Sequence, residues 1–226
     1  MQSTTVDARM DPSLWQRPEP LYPLLARAVG LLLRLVYRVR VGGGDIPRSG
    51  PVLLAANHIA HLDPVVLAVT LHKRGRKTRF LAVSGLWSVP VVGWLLRVGR
   101  MVPVYRGGGV DRMTEDACVA LDAGEAVLVY PEGTIADPTE RVPARPGAGH
   151  LALHSAGPVV PVTVWGLGPD PVVRRPLRRR VGVVIGAPVD LPEHRGDGLE
   201  LTDVAQHILD AVRALRPEAE RLARSG

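Results

Sequence analysis

Apolar residues along this chain follow two rhythms. From residue 51 onward, short apolar runs at 51–56, 79–83, 101–104, 126–130, 159–165 and 181–187 alternate with helical stretches at 64–73, 86–97, 111–123, 147–156 and 201–215. A short run that is apolar at nearly every position suits a strand buried on both faces. The last helical stretch repeats Leu201, Val204, Ile208, Val212 and Leu215, which share one helix face by spacing. Asp111 suits the cap of the 111–123 helix, and Gly124 its stop. Strands alternating with helices predict an α/β fold, a single domain with a largely parallel central sheet flanked by helices. No internal repeat or linker divides the chain.

The pattern before residue 51 is different. Residues 1–20 are polar and contain proline, which suggests a flexible arm and not a secretory leader. Residues 21–41 are mostly apolar but interrupted by Arg27, Arg34 and Arg38, which on a helix fall within about 20° of one another. A helix with one basic stripe and a broad apolar face suits the membrane interface, whereas a mid-span arginine is costly in a spanning helix. An amphipathic membrane-docking helix is therefore expected over 21–41, ended by Gly42-Gly43-Gly44, with the α/β domain filling 45–226. The stretch 86–97 is also unusually apolar. Core placement is expected there, with an acyl groove or lipid contact as the alternative.

Composition narrows the partners. The 226-residue chain carries a net charge of +6, with a pI near 10.2, yet its mean hydropathy is +0.10. A chain both basic and apolar points to an anionic surface, either membrane or nucleic acid. One Phe, four Tyr and four Trp leave few stacking platforms, and no nucleic-acid-binding signature occurs, so nucleic acid is not expected. The cluster Arg174-Arg175-Pro176-Leu177-Arg178-Arg179-Arg180 suits anionic headgroups or the phosphates of a bulky acyl donor, or is simply solvated. The single cysteine, Cys118, excludes an intramolecular disulfide and a cysteine-based metal site.

The chemistry centres on Asn57-His58-Ile59-Ala60-His61-Leu62-Asp63-Pro64, which follows the buried run 51–56 and precedes a helix. Loops at the ends of such strands are where open α/β sheets place their sites. Asp63 could cap the helix with Pro64 in its first turn, or it could hold His58 in one tautomer as a general base. Three further stretches stand out. Gly99-Arg-Met-Val-Pro-Val-Tyr-Arg106 ends in an arginine suited to gripping phosphate. Val129-Tyr-Pro-Glu-Gly-Thr134 runs from a strand into a tight loop. Pro158-Val-Val-Pro161-Val is a strand whose prolines belong at a start or an edge. A serine hydrolase would need a Gly-x-Ser-x-Gly elbow, and none of Ser49, Ser84, Ser88 or Ser155 has those flanks. Zinc on His58, His61 and Asp63 would leave the other three stretches without a role.

In order and spacing these four stretches resemble the blocks of the glycerophospholipid acyltransferases of the 1-acylglycerol-3-phosphate type. Asn57-His58-x4-Asp63 matches the first, Gly99-x-x-x-Pro103-Val-x-Arg106 the second, Pro131-Glu132-Gly133-Thr134 the third and Val160-Pro161-Val162 the fourth. The resemblance covers about residues 40–170. It implies transfer of an acyl group to a lysophospholipid hydroxyl, with His58 as general base oriented by Asp63. The thioester donor would be acyl-CoA or an acyl carrier protein thioester, and no metal or bound organic cofactor is implied. Asn57, Gly99, Arg106, Glu132, Gly133, Thr134 and Arg145 would serve substrate binding. The enzyme would sit as a peripheral or monotopic protein on the cytoplasmic face of the cell membrane. Two departures bear on the acceptor: Ile135 stands where many members have arginine, and Ala144-Arg145-Pro-Gly147 retains one cation of a Lys-Arg-Gly.

Overall fold

The computed structural model describes residues 18–105, 107, 109–137, 140–168, 178–191 and 200–225. Helix α1 spans Leu21–Val36 and strand β1 spans Tyr37–Gly43. The helix expected over 21–41 thus stops at Val36. The reason lies in Tyr37-Arg38-Val39-Arg40-Val41, where apolar and basic residues alternate with period two, so Arg38 belongs to a strand and not to the helical basic stripe. Nor do the three glycines end the helix. Gly43 closes β1 at φ +87°, and a Cβ there would lie 2.0 Å from the Ile185 carbonyl oxygen.

The order continues β2 (Val52–Ala56), α2 (Asp63–Lys73), β3 (Thr78–Val83), a 3-10 turn (Ser84–Ser88), α3 (Pro90–Gly99), β4 (Val102–Val104), α4 (Gly109–Asp122), β5 (Ala126–Val129), α5 (Pro146–His154), β6 (Val159–Trp165), β7 (Arg179–Ile185), α6 (Leu201–Ala214) and α7 (Arg216–Arg224). Two helical expectations change at prolines. The 86–97 stretch divides at Pro90, which opens α3, and Pro217 opens α7 directly behind α6. Asp111 lies inside the first turn of α4 and not at its cap, while Gly124 stops that helix at φ +80°.

The strands form one sheet in the order β1-β7-β6-β2-β5-β3-β4. Strands β6, β2, β5, β3 and β4 run parallel, whereas β7 is antiparallel to β6 and β1 is parallel to β7. The largely parallel sheet is therefore present, closed on one side by a reversed pair. Pro161 sits well inside this sheet and not at an edge. The β6–β7 ladder begins only at Val162, and Pro161 contributes its carbonyl to Gly186 N–H at 2.8 Å, so its missing donor leaves no gap.

Both faces of β2 are covered, as its unbroken apolar run requires. Leu53 and Ala55 pack with residues of α4, α5 and α6, while Val52, Leu54 and Ala56 pack with α2 residues Val66, Leu67 and Leu71. Helix α1 buries only Tyr22, Ala26 and Gly30, with Gly30 close against Val69 of α2 and Leu33 half-buried against the same core. Its Leu24, Leu31, Leu32 and Leu35 point outward and are 60–63 % exposed. The 86–97 stretch is not core either. No residue of the 3-10 turn is buried, α3 buries only Gly93 and Gly99, and Leu86, Val89, Val91 and Trp94 are exposed. Among the described residues no helix is long and apolar enough to cross a membrane.

Of the N-terminal arm, residues 1–17 lie outside the described residues. Glu19 is anchored: its carboxylate meets Arg79 Nη2 at 2.7 Å and Arg100 Nη1 at 3.2 Å, and also pairs with Lys77. Arg79, on β3, is only 2 % exposed and also reaches Glu125 at 3.0 Å and the Gly99 carbonyl.

Candidate active site

Because β2, β5, β6, β3 and β4 are parallel, their carboxyl ends open on one edge, and the loops that leave those ends can converge. The loop after β2 carries His58. Its Nδ1 lies 3.1 Å from Asp63 Oδ2, with the His58 side chain 18 % exposed and Asp63 fully buried. Asp63 is the first residue of α2, and its carboxylate bends back into the loop and does not cap the helix. The same Oδ2 accepts the backbone N–H groups of Ile59 at 2.5 Å and Ala60 at 2.8 Å. Two N–H groups pointing at one oxygen fix the carboxylate, and the carboxylate holds the imidazole at Nδ1. An N–H at Nδ1 donating to Asp63 leaves Nε2 as a proton acceptor at the mouth of the site.

The loop after β5 closes over this pair. Glu132 Oε2 accepts the His58 backbone N–H at 3.1 Å, and the His58 carbonyl accepts from Ala136 N–H at 2.9 Å. The Tyr130 ring stacks on the His58 ring, centroids 4.2 Å apart and planes 16° apart. Glu132 is buried, and its other oxygen lies 3.7 Å from Arg213 Nη2 of α6. Burial pushes the Glu132 carboxyl above its ordinary range, opposed by the His58 N–H and the Arg213 charge. Gly133, at φ +64°, makes the tight turn, and a Cβ there would come within 2.9 Å of Arg145 Cγ. The Arg145 stem therefore lies against Gly133, its backbone N–H donates to the Pro131 carbonyl at 2.7 Å, and the residue is exposed at the start of α5.

Asn57 turns the other way. Its Nδ2 donates to the Val164 carbonyl at 2.9 Å and its Oδ1 accepts the Val164 N–H at 2.8 Å. Both halves of the amide thus bond β6, so Asn57 extends the β2–β6 ladder by one residue. Glu132 likewise directs both oxygens at protein groups, which makes it a support of the His58 loop.

Of the residues read from sequence, the structure brings together His58, Asp63, Glu132, Gly133 and Arg145, with Thr134 exposed on the same loop. Gly99 does not join them. It precedes β4, at the amino ends of the parallel strands and away from His58, where a Cβ would meet Met101 Cε at 2.6 Å. Its smallness serves packing. Arg106, Arg174 and Arg175 lie outside the described residues. His61 is exposed, and among the described residues no group of His, Cys, Asp or Glu could hold a metal ion.

Two contributors escaped sequence reading. Tyr130 stood inside a recognised stretch, and its place as the aromatic immediately after a buried strand was the available signal. Arg213 lies near the end of α6, and nothing in its neighbourhood marks it.

Comparison with known proteins points the same way. A family model described as Acyltransferase matches residues 38–165. A lyso-ornithine lipid O-acyltransferase of Brucella abortus (strain 2308) is 30 % identical over 150 residues, 63 % of this chain and 52 % of that protein. A chloroplastic 1-acyl-sn-glycerol-3-phosphate acyltransferase of Brassica napus is 29 % identical over 130 residues, 55 % of this chain and 36 % of that protein. The crystal structure of the 1-acyl-sn-glycerophosphate acyltransferase PlsC from Thermotoga maritima superimposes with a TM-score of 0.62 at 26 % identity, covering 88 % of this chain and 77 % of that one. The chain spans 36–52 % of the length of these two curated relatives.

Proposed function

The chain belongs to the acyltransferase family, and from that premise we propose that it transfers a fatty acyl group from an acyl-thioester to the free hydroxyl of a lysophospholipid, with 1-acylglycerol-3-phosphate as acceptor. The observation that carries this reading is the His58–Asp63 contact of 3.1 Å at the carboxyl end of β2. An alcohol is a poor nucleophile at neutral pH. His58 Nε2 takes the hydroxyl proton as the oxygen attacks the thioester carbonyl, and Asp63 stabilises the imidazolium. Collapse of the tetrahedral intermediate breaks the C–S bond, and the imidazolium returns its proton to the departing thiolate. Products are an ester and a free thiol, with no acyl-enzyme required. General-base assistance of this kind is worth roughly 10²–10⁴ in rate.

Arg145 meets the acceptor's phosphate in this reading, with Arg106 and Thr134 as further contacts; its exposure beside Gly133 at the start of α5 supports that role. The donor is acyl-CoA or an acyl carrier protein thioester. Access to lipid comes through a peripheral contact with an anionic membrane. The outward leucines of α1 and the exposed apolar residues of the 3-10 turn and α3 support that contact, and the basic stripe of α1 keeps Arg27 and Arg34.

A phosphate-free acceptor such as a lyso-ornithine lipid is the second reading. It is favoured by Ile135, which exposes an apolar side chain directly after Thr134, and by the Brucella relative's name.

Mass spectrometry of products after incubation with lysophosphatidic acid, lyso-ornithine lipid and acyl-CoA tests both readings. Acylated lysophosphatidic acid, lost in a folded His58→Ala variant, is the expected result. Full activity in that variant would remove the mechanism, and acylation of lyso-ornithine lipid alone would replace the acceptor.

A further inference from the structure

We propose that Tyr130 is a positioning residue for His58, its ring fixing the plane of the imidazole and its π face stabilising the imidazolium that forms while the acceptor's proton is held. The proposal rests on the reading of His58 as general base. Asp63 alone does not determine the plane of the imidazole, because a single hydrogen bond at Nδ1 tolerates a range of twist about the Cβ–Cγ bond. A second ring lying parallel at 4.2 Å, 16° off coplanar, removes that freedom. Tyr130 is itself fixed from behind. It follows β5 directly, its carbonyl accepts Gly133 N–H at 2.9 Å, and it packs against the core that contains Leu54, Leu128 and Val162.

The hydroxyl and the ring of Tyr130 can be told apart. The hydroxyl oxygen is buried with no hydrogen-bond partner among the described residues. Burial and the nearby Asp63 carboxylate push the phenol well above its ordinary range, so it does not exchange a proton at working pH. What meets His58 is the aromatic face, which carries negative charge density and attracts a cation laid upon it. The charged or titratable groups around His58 are Asp63 at Nδ1, Glu132 at its backbone N–H, Arg213 behind Glu132, and Tyr130 over the ring, with His61 exposed in the same loop. Among these, Tyr130 supplies the aromatic face.

A purely space-filling role would be met by leucine, whereas the proposed role would be met by phenylalanine. The test compares Tyr130→Phe with Tyr130→Leu, using Tyr130→Met if leucine prevents folding. The first measurement is the NMR titration of the His58 imidazole in purified protein, assigned by its loss in His58→Gln, and it needs no turnover. The second is kcat and KM for lysophosphatidic acid across pH. Tyr130→Phe is expected to titrate like wild type and keep kcat within about twofold. In Tyr130→Leu, His58 is expected to titrate roughly half a pH unit lower, the acid limb of kcat/KM to move with it, and kcat to fall with KM little changed. An unchanged His58 titration in folded Tyr130→Leu would overturn the proposal, as would a Tyr130→Phe protein that behaves like the leucine variant. The expected difference in titration between wild type and Tyr130→Leu, found in a wild-type protein that transfers no acyl group, would instead count against the proposed function.

Discussion

Glu132 accepts the backbone N–H of His58 at 3.1 Å, across 74 residues of sequence, and so ties the loop after β5 to the loop after β2. One oxygen thus sets the backbone from which the imidazole projects, while Asp63 holds the imidazole at Nδ1. The Glu132 carboxyl is buried and raised above its ordinary value of 4.5, chiefly by desolvation. An acid whose folded pKa is raised holds its proton more tightly in the folded state than in the unfolded one. Its contribution to stability therefore falls as pH rises from 4.5 through the raised value, and levels off above it. Glu132→Gln keeps an acceptor for the His58 N–H but cannot ionise. The wild-type stability curve should decline relative to the Gln variant across that window in urea melts from about pH 4 to pH 8. Parallel curves would show that the buried carboxyl does not titrate differently on folding.

Asn57→Ala should damage the fold before it affects chemistry. The amide supplies both partners of Val164, which is fully buried, and alanine leaves that N–H and carbonyl unmatched. A buried unsatisfied polar group costs about 1–3 kcal/mol, so a drop in stability of that order is expected by denaturant melting. Because Asn57 precedes His58, kcat should fall with little change in KM. A variant with a higher KM and unaltered stability would return Asn57 to the substrate-binding residues.

The sheet was legible in the chain because strands buried on both faces leave unbroken apolar runs, and the six runs read from residue 51 onward all reappear as strands. β1 was not legible. Its alternation, Tyr37-Arg38-Val39-Arg40-Val41, followed an apolar helix without a break, and the arginines at 34 and 38 fitted a helical stripe equally well. α7 escaped because its inward side is Ala219 and Ala223, too small to show as an apolar stripe. At the site, His58 with Asp63 was readable from spacing, but what each supporting residue does was not. Whether Asn57 and Glu132 face substrate or backbone depends on β6 and α6, which are distant in sequence. Gly99 fitted a site block, yet its position at the amino end of β4 follows from the strand direction, which residue types do not reveal.

Glu19→Ala should loosen the attachment of α1. The carboxylate meets Arg79, which is 2 % exposed, and also Arg100 and Lys77, while Arg79 keeps Glu125 as a second acid. Removing one partner of a buried ion pair costs about 3–5 kcal/mol, and the remaining contact with Glu125 places the expected loss at the lower end. Hydrogen exchange in α1 should accelerate more than in β2 or β5, since the helix is held inward by the buried Tyr22, Ala26 and Gly30 and the partly buried Leu33 alone among its core contacts. Equal acceleration everywhere would mean that Glu19 supports the sheet and not the helix.

Replacing Leu31, Leu32 and Leu35 with serine together tests what the outer face of α1 is for. These side chains are 62–63 % exposed and none belongs to the buried face of the helix, so the thermal midpoint should barely move. A leucine fully withdrawn from water contributes about 1.5–3 kcal/mol, and partial insertion into the headgroup region recovers only a fraction of that for each. Three such fractions suffice for at least a tenfold loss of co-sedimentation with anionic vesicles, since each tenfold change in affinity requires about 1.4 kcal/mol. Turnover of a short-chain, water-soluble acceptor should persist, because His58, Asp63 and the loop that supports them are untouched, while turnover of vesicle-borne acceptor should fall with binding. If vesicle binding is unchanged and the protein instead shifts to a smaller hydrodynamic size, the leucines serve contact between copies of the chain. The membrane contact would then have to rest on the 3-10 turn and α3, where Leu86, Val91 and Trp94 form the other exposed apolar face.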